Sequence, residues 1–172
     1  MARRKLDTFS GEISSDSLCT PSEIIDRIYD LYDGVIDCDP CSNEHSIVRA
    51  TTIYTWGGLI RPWGQKTWQN HPYSTNEPWI DKACTEMRLG NVRELVILCM
   101  SATSTAWWRR AMTVPRKNPR VIFTKRIKFL GPGGLPLENG ARFDTSLIYY
   151  GSKPRKFDKL FVHVAMWTTW GR

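Results

Sequence analysis

The run Leu95-Val96-Ile97-Leu98-Cys99-Met100 constrains the fold more than any other stretch of this chain. It is far too short to cross a membrane, and it has no polar face in either a helical or a strand register. A strand covered by helices on both sides of a parallel sheet reads this way, because its two faces are equally dry. Around it, helix-like and strand-like patterns alternate through the first two thirds of the chain, and strands dominate the end. That order predicts an α/β fold whose sheet is parallel at its centre and finished by antiparallel strands.

Upstream, Thr20-Pro21-Ser22-Glu23 reads as a helix start, with Thr20 as cap, Pro21 at the first helical position and Glu23 closing a capping box. Ile24, Ile25, Ile28, Leu31 and Tyr32 recur at helical spacing, and Gly34 stops the helix. Val35-Ile36-Asp37-Cys38-Asp39-Pro40 reads as a short buried strand running into a turn, with further strands at residues 51–54 and 66–69. A helix from Pro78 carries Trp79, Ile80, Ala83, Cys84 and Met87 inward and stops at Gly90; another covers residues 104–112. Strands are expected at residues 120–123, 126–130 and 146–150, and near residues 160–167. Residues 1–17, polar and rich in serine and charge, read as a flexible arm ahead of a single domain over residues 18–172.

Composition narrows the setting. There is no apolar run of about 18 residues for a membrane helix, and the basic start Met1-Ala2-Arg3-Arg4-Lys5 is not followed by the apolar core of a secretory signal. Five cysteines, an odd number without a disulfide-like framework, fit a reducing cytoplasm. The net charge of +7 is unevenly spread: ten of the seventeen acidic residues lie in the first 44 positions. Between Glu94 and Glu138 there are none, while Arg109, Arg110, Arg116, Lys117, Arg120, Lys125, Arg126 and Lys128 fall there. Lys153, Arg155, Lys156 and Lys159 form a second basic group. Such asymmetry suits a polyanion on one face, the alternative being an ordinary basic surface.

The candidate site begins at Gln69-Asn70-His71-Pro72-Tyr73-Ser74. A polar amide, a proline-stiffened turn and an aromatic at a strand end can hydrogen-bond a base edge and stack on its face. Ligands of open α/β sheets sit beyond the carboxyl ends of the strands. Asp39 and Asn70 both fall at such ends and can share one cleft. Cys38 and Cys41 form a C-x-x-C, yet no second Cys/His pair accompanies them, so packing behind the strand is favoured over metal or redox use. Asp37 shares the face of Asp39 by strand alternation and either joins the same pocket or pairs with a lysine. Trp107 and Trp108 read as core rather than as base contacts. The glycines between Gly131 and Gly134 are not a phosphate loop, because no Lys-Ser/Thr follows them.

In order and spacing, Thr20-Pro21, Asp37-Cys38-Asp39-Pro40-Cys41, Asn70-His71-Pro72-Tyr73 and the stretch Arg126-Ile127-Lys128-Phe129 with Ser146-Leu147-Ile148-Tyr149-Tyr150 resemble the phage-type DNA N-6-adenine methyltransferases (Dam-like). The resemblance covers most of the chain, from Leu18 to Gly151. It implies a Rossmann-like class I fold with S-adenosylmethionine as cofactor and double-stranded DNA, its target adenine flipped out, as substrate. By the same resemblance Asp39, with Pro40 and Cys41, binds the cofactor and Thr20 and Pro21 frame its pocket. Asn70, with the carbonyl of His71 and with Pro72, orients the target amine, and Tyr73 stacks on the base. Arg109, Arg110, Arg116, Lys117, Arg126 and Lys128 are the expected DNA contacts, with target preference read by loops around residues 43–65. Protection of phage DNA from host nucleases is the role the resemblance implies. Two positions depart from the pattern: His71 replaces the first proline of the tetrapeptide, and Gly57 stands where the family carries an acid. A catalytically silent DNA-binding relative and an RNA methyltransferase are the other readings.

Overall fold

A computed structural model describes residues 16, 18–113, 119–131, 134–136 and 143–169 of the chain. Its elements run α1 (Ser22–Leu31), β1 (Ile36–Asp39), β2 (Ala50–Ile53), β3 (Lys66–Gln69), α2 (Asn76–Leu89), β4 (Glu94–Met100), α3 (Ala106–Met112), β5 (Arg120–Thr124), β6 (Thr145–Tyr150), α4 (Pro154–Phe161) and β7 (Ala165–Thr169). All seven strands join one sheet in the order β2-β1-β3-β4-β6-β5-β7. The pairs among β2, β1, β3 and β4 are parallel. Those linking β4, β6, β5 and β7 are antiparallel. The mixed α/β sheet, parallel on one side and closed by antiparallel strands, is therefore present.

The apolar run at β4 has the cause anticipated from its composition. Val96 and Leu98 enter the core under α1 and α4 with Ile24, Ile28, Leu31, Phe157 and Phe161. Leu95, Ile97 and Cys99 enter the core under α2 and α3 with Ile80, Ala83, Trp108 and Ala111. Each successive side chain finds a dry partner on alternate faces, so a polar residue at any of these positions would be buried without water. Removing the Leu98 side chain to Ala would cost roughly 2–5 kcal/mol at such a fully buried position.

Three expectations need correcting. Residues 126–130 form no ladder strand: Ile127 and Phe129 are buried and Arg126 and Lys128 exposed, but only Leu130 is bridged, to Cys19 and Pro136. Alternation recorded which side chains face inward, not whether a neighbouring backbone lay within reach. The segment near residue 160 is the end of a helix: α4 opens on Pro154 and buries Phe157 and Phe161, and the final strand starts only at Ala165. Its lysines had read as a basic cluster, masking the i, i+4 aromatic pair. Finally, Thr20 does not cap α1. Pro21 occupies that position without a side-chain bond, and Glu23 pairs with Arg27 at 3.5 Å instead of closing a box.

Candidate active site

Parallel pairing of β1 with β3 puts Cys38 opposite Thr67, so Asp39 and Asn70 leave the sheet at the same end. Thr20 reaches them from the segment before α1, tied down by paired backbone bonds between Cys19 and Leu130 at 2.9 Å. The hydroxyl that might have capped α1 accepts a hydrogen bond from Asn70 Nδ2 at 3.1 Å, and Tyr73 Oη donates to Asn70 Oδ1 at 3.0 Å. The amide is gripped at both ends, which sets its orientation. Tyr73 is itself buried, edge to face with Phe129 at 6.3 Å and Phe143 at 5.1 Å. Phe143 and Phe129 thus both pack against the Tyr73 ring.

Asp39 is 3% exposed. Its Oδ1 accepts from the Cys41 amide at 3.2 Å, and Ser42 adds a side-chain bond. No lysine or arginine among the described residues pairs with it. Burial dominates, and the carboxyl is pushed up to about 6. A buried carboxylate without a basic neighbour is stabilised by any positive group brought beside it. The space beside it, lined by Thr20, Cys41, Ser42, Asn43, Ser46 and Asn70, measures about 20 Å³. That admits one group the size of a water molecule.

On the other side of the Pro40–Ser42 turn lies a wider cleft of about 200 Å³, walled by Pro40, Tyr54, Trp56, Leu59, Pro72 and Trp79. Cys41 and Ser42 line both spaces, so the two adjoin at the end of β1. The turn entering the wider cleft explains the absent acid: Gly57 has φ +74°, a backbone state that L side chains rarely adopt. Gly58 is tighter still, since a Cβ there would lie 1.8 Å from the Pro40 carbonyl oxygen.

His71 does not face either cleft. Asn76 Nδ2 donates to the Tyr73 carbonyl at 2.5 Å, which leaves Asn76 Oδ1 to accept from His71 Nε2 at 3.0 Å. His71 Nδ1 then accepts from Gln69 Nε2 at 2.9 Å. The imidazole is neutral, with its proton on Nε2, and burial holds it down to about 4. It also stacks on Trp79 with centroids 6.3 Å apart. These contacts restrain the turn where the family's proline would have restrained it through φ. The arrangement leaves Gln69 Oε1 buried without a partner. With both nitrogens engaged inside the protein, His71 is not placed to act as a base.

The remaining expected site residues are scattered. Asp37 lies outside the pocket and accepts the Lys66 backbone N–H at 2.9 Å. Pro21 precedes α1 as its N-cap residue. Cys38 is fully buried in the α2–α3 core, with its thiol pushed up to about 11, and all five cysteines are free. Among the described residues no cluster of histidine, cysteine and carboxylate could hold a metal, and no helix is long and apolar enough to cross a membrane. Trp108 is buried against the sheet and Trp107 packs on the same core.

Of the expected DNA contacts, Arg110 pairs with Glu77 and, at 2.8 Å, with Asp81, both on α2. Arg109 donates to the Ser104 carbonyl at 3.0 Å. Arg126 and Lys128 are exposed, on the strip whose Phe129 packs on Tyr73. Arg116 and Lys117 lie outside the described residues. Sequence reasoning missed Asn43 and Ser46 in the small pocket, Asn76 at the histidine, and Tyr54 in the wider cleft. Only Asn43 left a signal: its Oδ1 accepts from the His45 amide at 2.9 Å, a turn typical of Asx residues.

A family model described as DNA N-6-adenine-methyltransferase (Dam) matches residues 10–151. No curated protein matches the chain.

Proposed function

Because the chain belongs to the DNA N-6-adenine-methyltransferase (Dam) family, we propose that it methylates the exocyclic amine of adenine in double-stranded DNA, using S-adenosylmethionine on a Rossmann-like class I scaffold. The observation that carries this reading is Asp39. A carboxylate held from water, with hydrogen-bond donors but no basic partner among the described residues, is completed by an ammonium group. The adjoining space has the size of that group, and the wider cleft offers Pro72, Tyr54, Trp56 and Trp79 to a flat heterocycle. S-adenosylmethionine carries both features, and when bound it supplies an electrophilic methyl on a sulfonium.

The protein's contribution is orientation and charge placement. Asn70 Oδ1 and the carbonyl of His71 accept the two hydrogens of the target amine and aim its lone pair at the methyl carbon. Tyr73 Oη holds the Asn70 amide until the substrate arrives and then yields the Asn70 oxygen to it. Thr20 keeps the other end of the amide fixed. His71 and Asn76 hold the turn and its carbonyl in place. Base entry requires Tyr73 to turn toward the cleft or Phe143 to withdraw. The histidine substitution is compatible with this scheme, since it removes no acceptor. The reading extends to a phage-encoded enzyme that shields DNA in the host cytoplasm, where the five free cysteines would stay reduced.

The test is transfer of a labelled methyl group from S-adenosylmethionine to duplex DNA, followed by identification of the modified base. Wild-type protein should produce N6-methyladenine. Asn70→Ala should lower the rate at least a hundredfold, more than any loss of cofactor affinity accounts for. Correctly folded wild type that binds cofactor and DNA without transferring the methyl would sink the catalytic reading and leave a silent relative.

A further inference from the structure

The turn between β2 and β3 carries an apolar tip that neither core uses. Ile60 is 80% exposed and Trp56 69%. Exposed side chains of this kind normally sit on loose loops, but this one is braced from several sides. The amides of Ile60 and Arg61 both donate to the Gly57 carbonyl, at 3.0 and 3.1 Å. Trp63 Nε1 donates to the Gly58 carbonyl at 2.8 Å, and Tyr54 Oη donates to the Pro62 carbonyl at 3.0 Å. Gly58 lies flat against Pro40 with no room for a Cβ. The Arg61 guanidinium is sandwiched, 4.1 Å from the Trp56 ring centroid and 5.1 Å from that of Tyr54. Trp56, Leu59 and Ile60 are exposed together on this braced tip beside Arg61, and an apolar group with a basic neighbour suits a macromolecular partner.

We propose that Ile60 is a wedge that enters the base stack of duplex DNA beside the target adenine, with Arg61 on the flanking phosphate. Three observations select DNA as the occupant. The tip borders the wider cleft, which Trp56, Gly57, Gly58 and Leu59 line together with Pro72, the neighbour of the residues proposed to orient the target amine. Arg61, on the tip itself, has no carboxylate partner among the described residues and is available to a phosphate. Isoleucine is also among the apolar side chains that wedge between base steps and unstack them. Extruding a base leaves a gap in the stack, and a rigid apolar side chain filling it lowers the cost of extrusion. The inference rests on DNA being the substrate, as the proposed function has it.

The test compares full-length wild type, Ile60→Ser and Arg61→Ala by fluorescence anisotropy on a labelled mixed-sequence duplex at several salt concentrations, with sedimentation to give the oligomeric state. Ile60 touches neither core, so its variant should melt with wild type. Ile60→Ser should bind at least tenfold more weakly at every salt concentration with an unchanged salt slope. Arg61→Ala should lower that slope by about one. Equal affinity of Ile60→Ser and wild type would overturn the wedge and leave the methyltransferase reading standing. A self-associating wild type that Ile60→Ser converts to monomer, with DNA affinity unchanged, would assign the tip to a second copy instead. Failure of wild type to bind any duplex would overturn both readings.

Discussion

Replacing Asp39 by Asn should stabilise the protein while destroying its cofactor site, and the size of the gain follows from burial. The carboxyl sits at about 6 in the fold against an ordinary value of 3.8, raised chiefly by desolvation. Below the ordinary value both folded and unfolded chains carry the proton, and the acid costs nothing. As pH rises from about 4 to 6 the unfolded chain ionises first, so stability is lost through that window and the loss is complete above it. A difference of about two pKa units corresponds to roughly 3 kcal/mol. Asparagine carries no charge and keeps an oxygen for the Cys41 amide, although the bond with Ser42 is weakened, which leaves a net gain of about 2 kcal/mol. For a chain of this size that is about 4–8 °C in Tm. Thermal unfolding of both proteins from pH 4 to 8 reads this directly. The difference in Tm should be near zero at pH 4, grow to pH 6 and then stay level. His71 titrates in the same window but is present in both proteins, so it cancels. Adding S-adenosylmethionine should reverse the order at pH 8, because only wild type gains a ligand. A difference of the same size at pH 4 and pH 8, or a less stable Asp39→Asn at pH 8, would refute a desolvated carboxylate awaiting a cation.

Three further outcomes follow from the same geometry. His71, held down to about 4 by burial, should withdraw stability in the opposite sense. The unfolded chain takes up its proton first as pH falls from about 6.5 toward 4, removing roughly 3 kcal/mol. Urea denaturation of His71→Pro in the Asp39→Asn background should flatten that slope, and an unchanged slope would place the titration elsewhere. Tyr73→Phe removes the hydroxyl bonded to Asn70 but keeps the ring; kcat should fall about tenfold with cofactor Kd unchanged, consistent with about 1.4 kcal/mol of lost orientation. An unaltered kcat would show that this hydroxyl does not prepare the amide. Gly58→Ala should lower stability by about 2 kcal/mol or more, because its Cβ would meet the Pro40 carbonyl. A melting temperature equal to wild type would mean the turn relaxes freely.

Much of the scaffold was legible because its signals are local. The buried stripe of α1, the stop at Gly34, the strand at Lys66–Gln69 and the stop of α2 at Gly90 all depend on residues within one or two turns of each other. The strand-end logic also held, since parallel neighbours place their carboxyl ends together whatever their sequence, and Asp39 and Asn70 meet accordingly. Charge was the least legible property. The acid-free stretch after Glu94 looked like a continuous basic face, but Arg110 meets Glu77 and Asp81 from α2. Lys153 and Lys156 meet Asp33 at the end of α1. A linear count cannot see acids that arrive from another helix.

By itself, then, the sequence determined the helices and strands up to Thr124, which residues face the core and which strand ends carry polar groups. These are set by propensity, periodicity and turn chemistry, which act over a few residues. Tertiary structure alone decided what the polar groups do once they meet. Thr20 could cap a helix or hold Asn70, and it holds Asn70 because the backbone pairing of Cys19 with Leu130 brings it there. His71 could open the tetrapeptide or brace it, and it braces it because Gln69 and Asn76 enclose both ring nitrogens. A hydrogen bond needs its partner within about 3 Å, and only the packed sheet and helices set that distance.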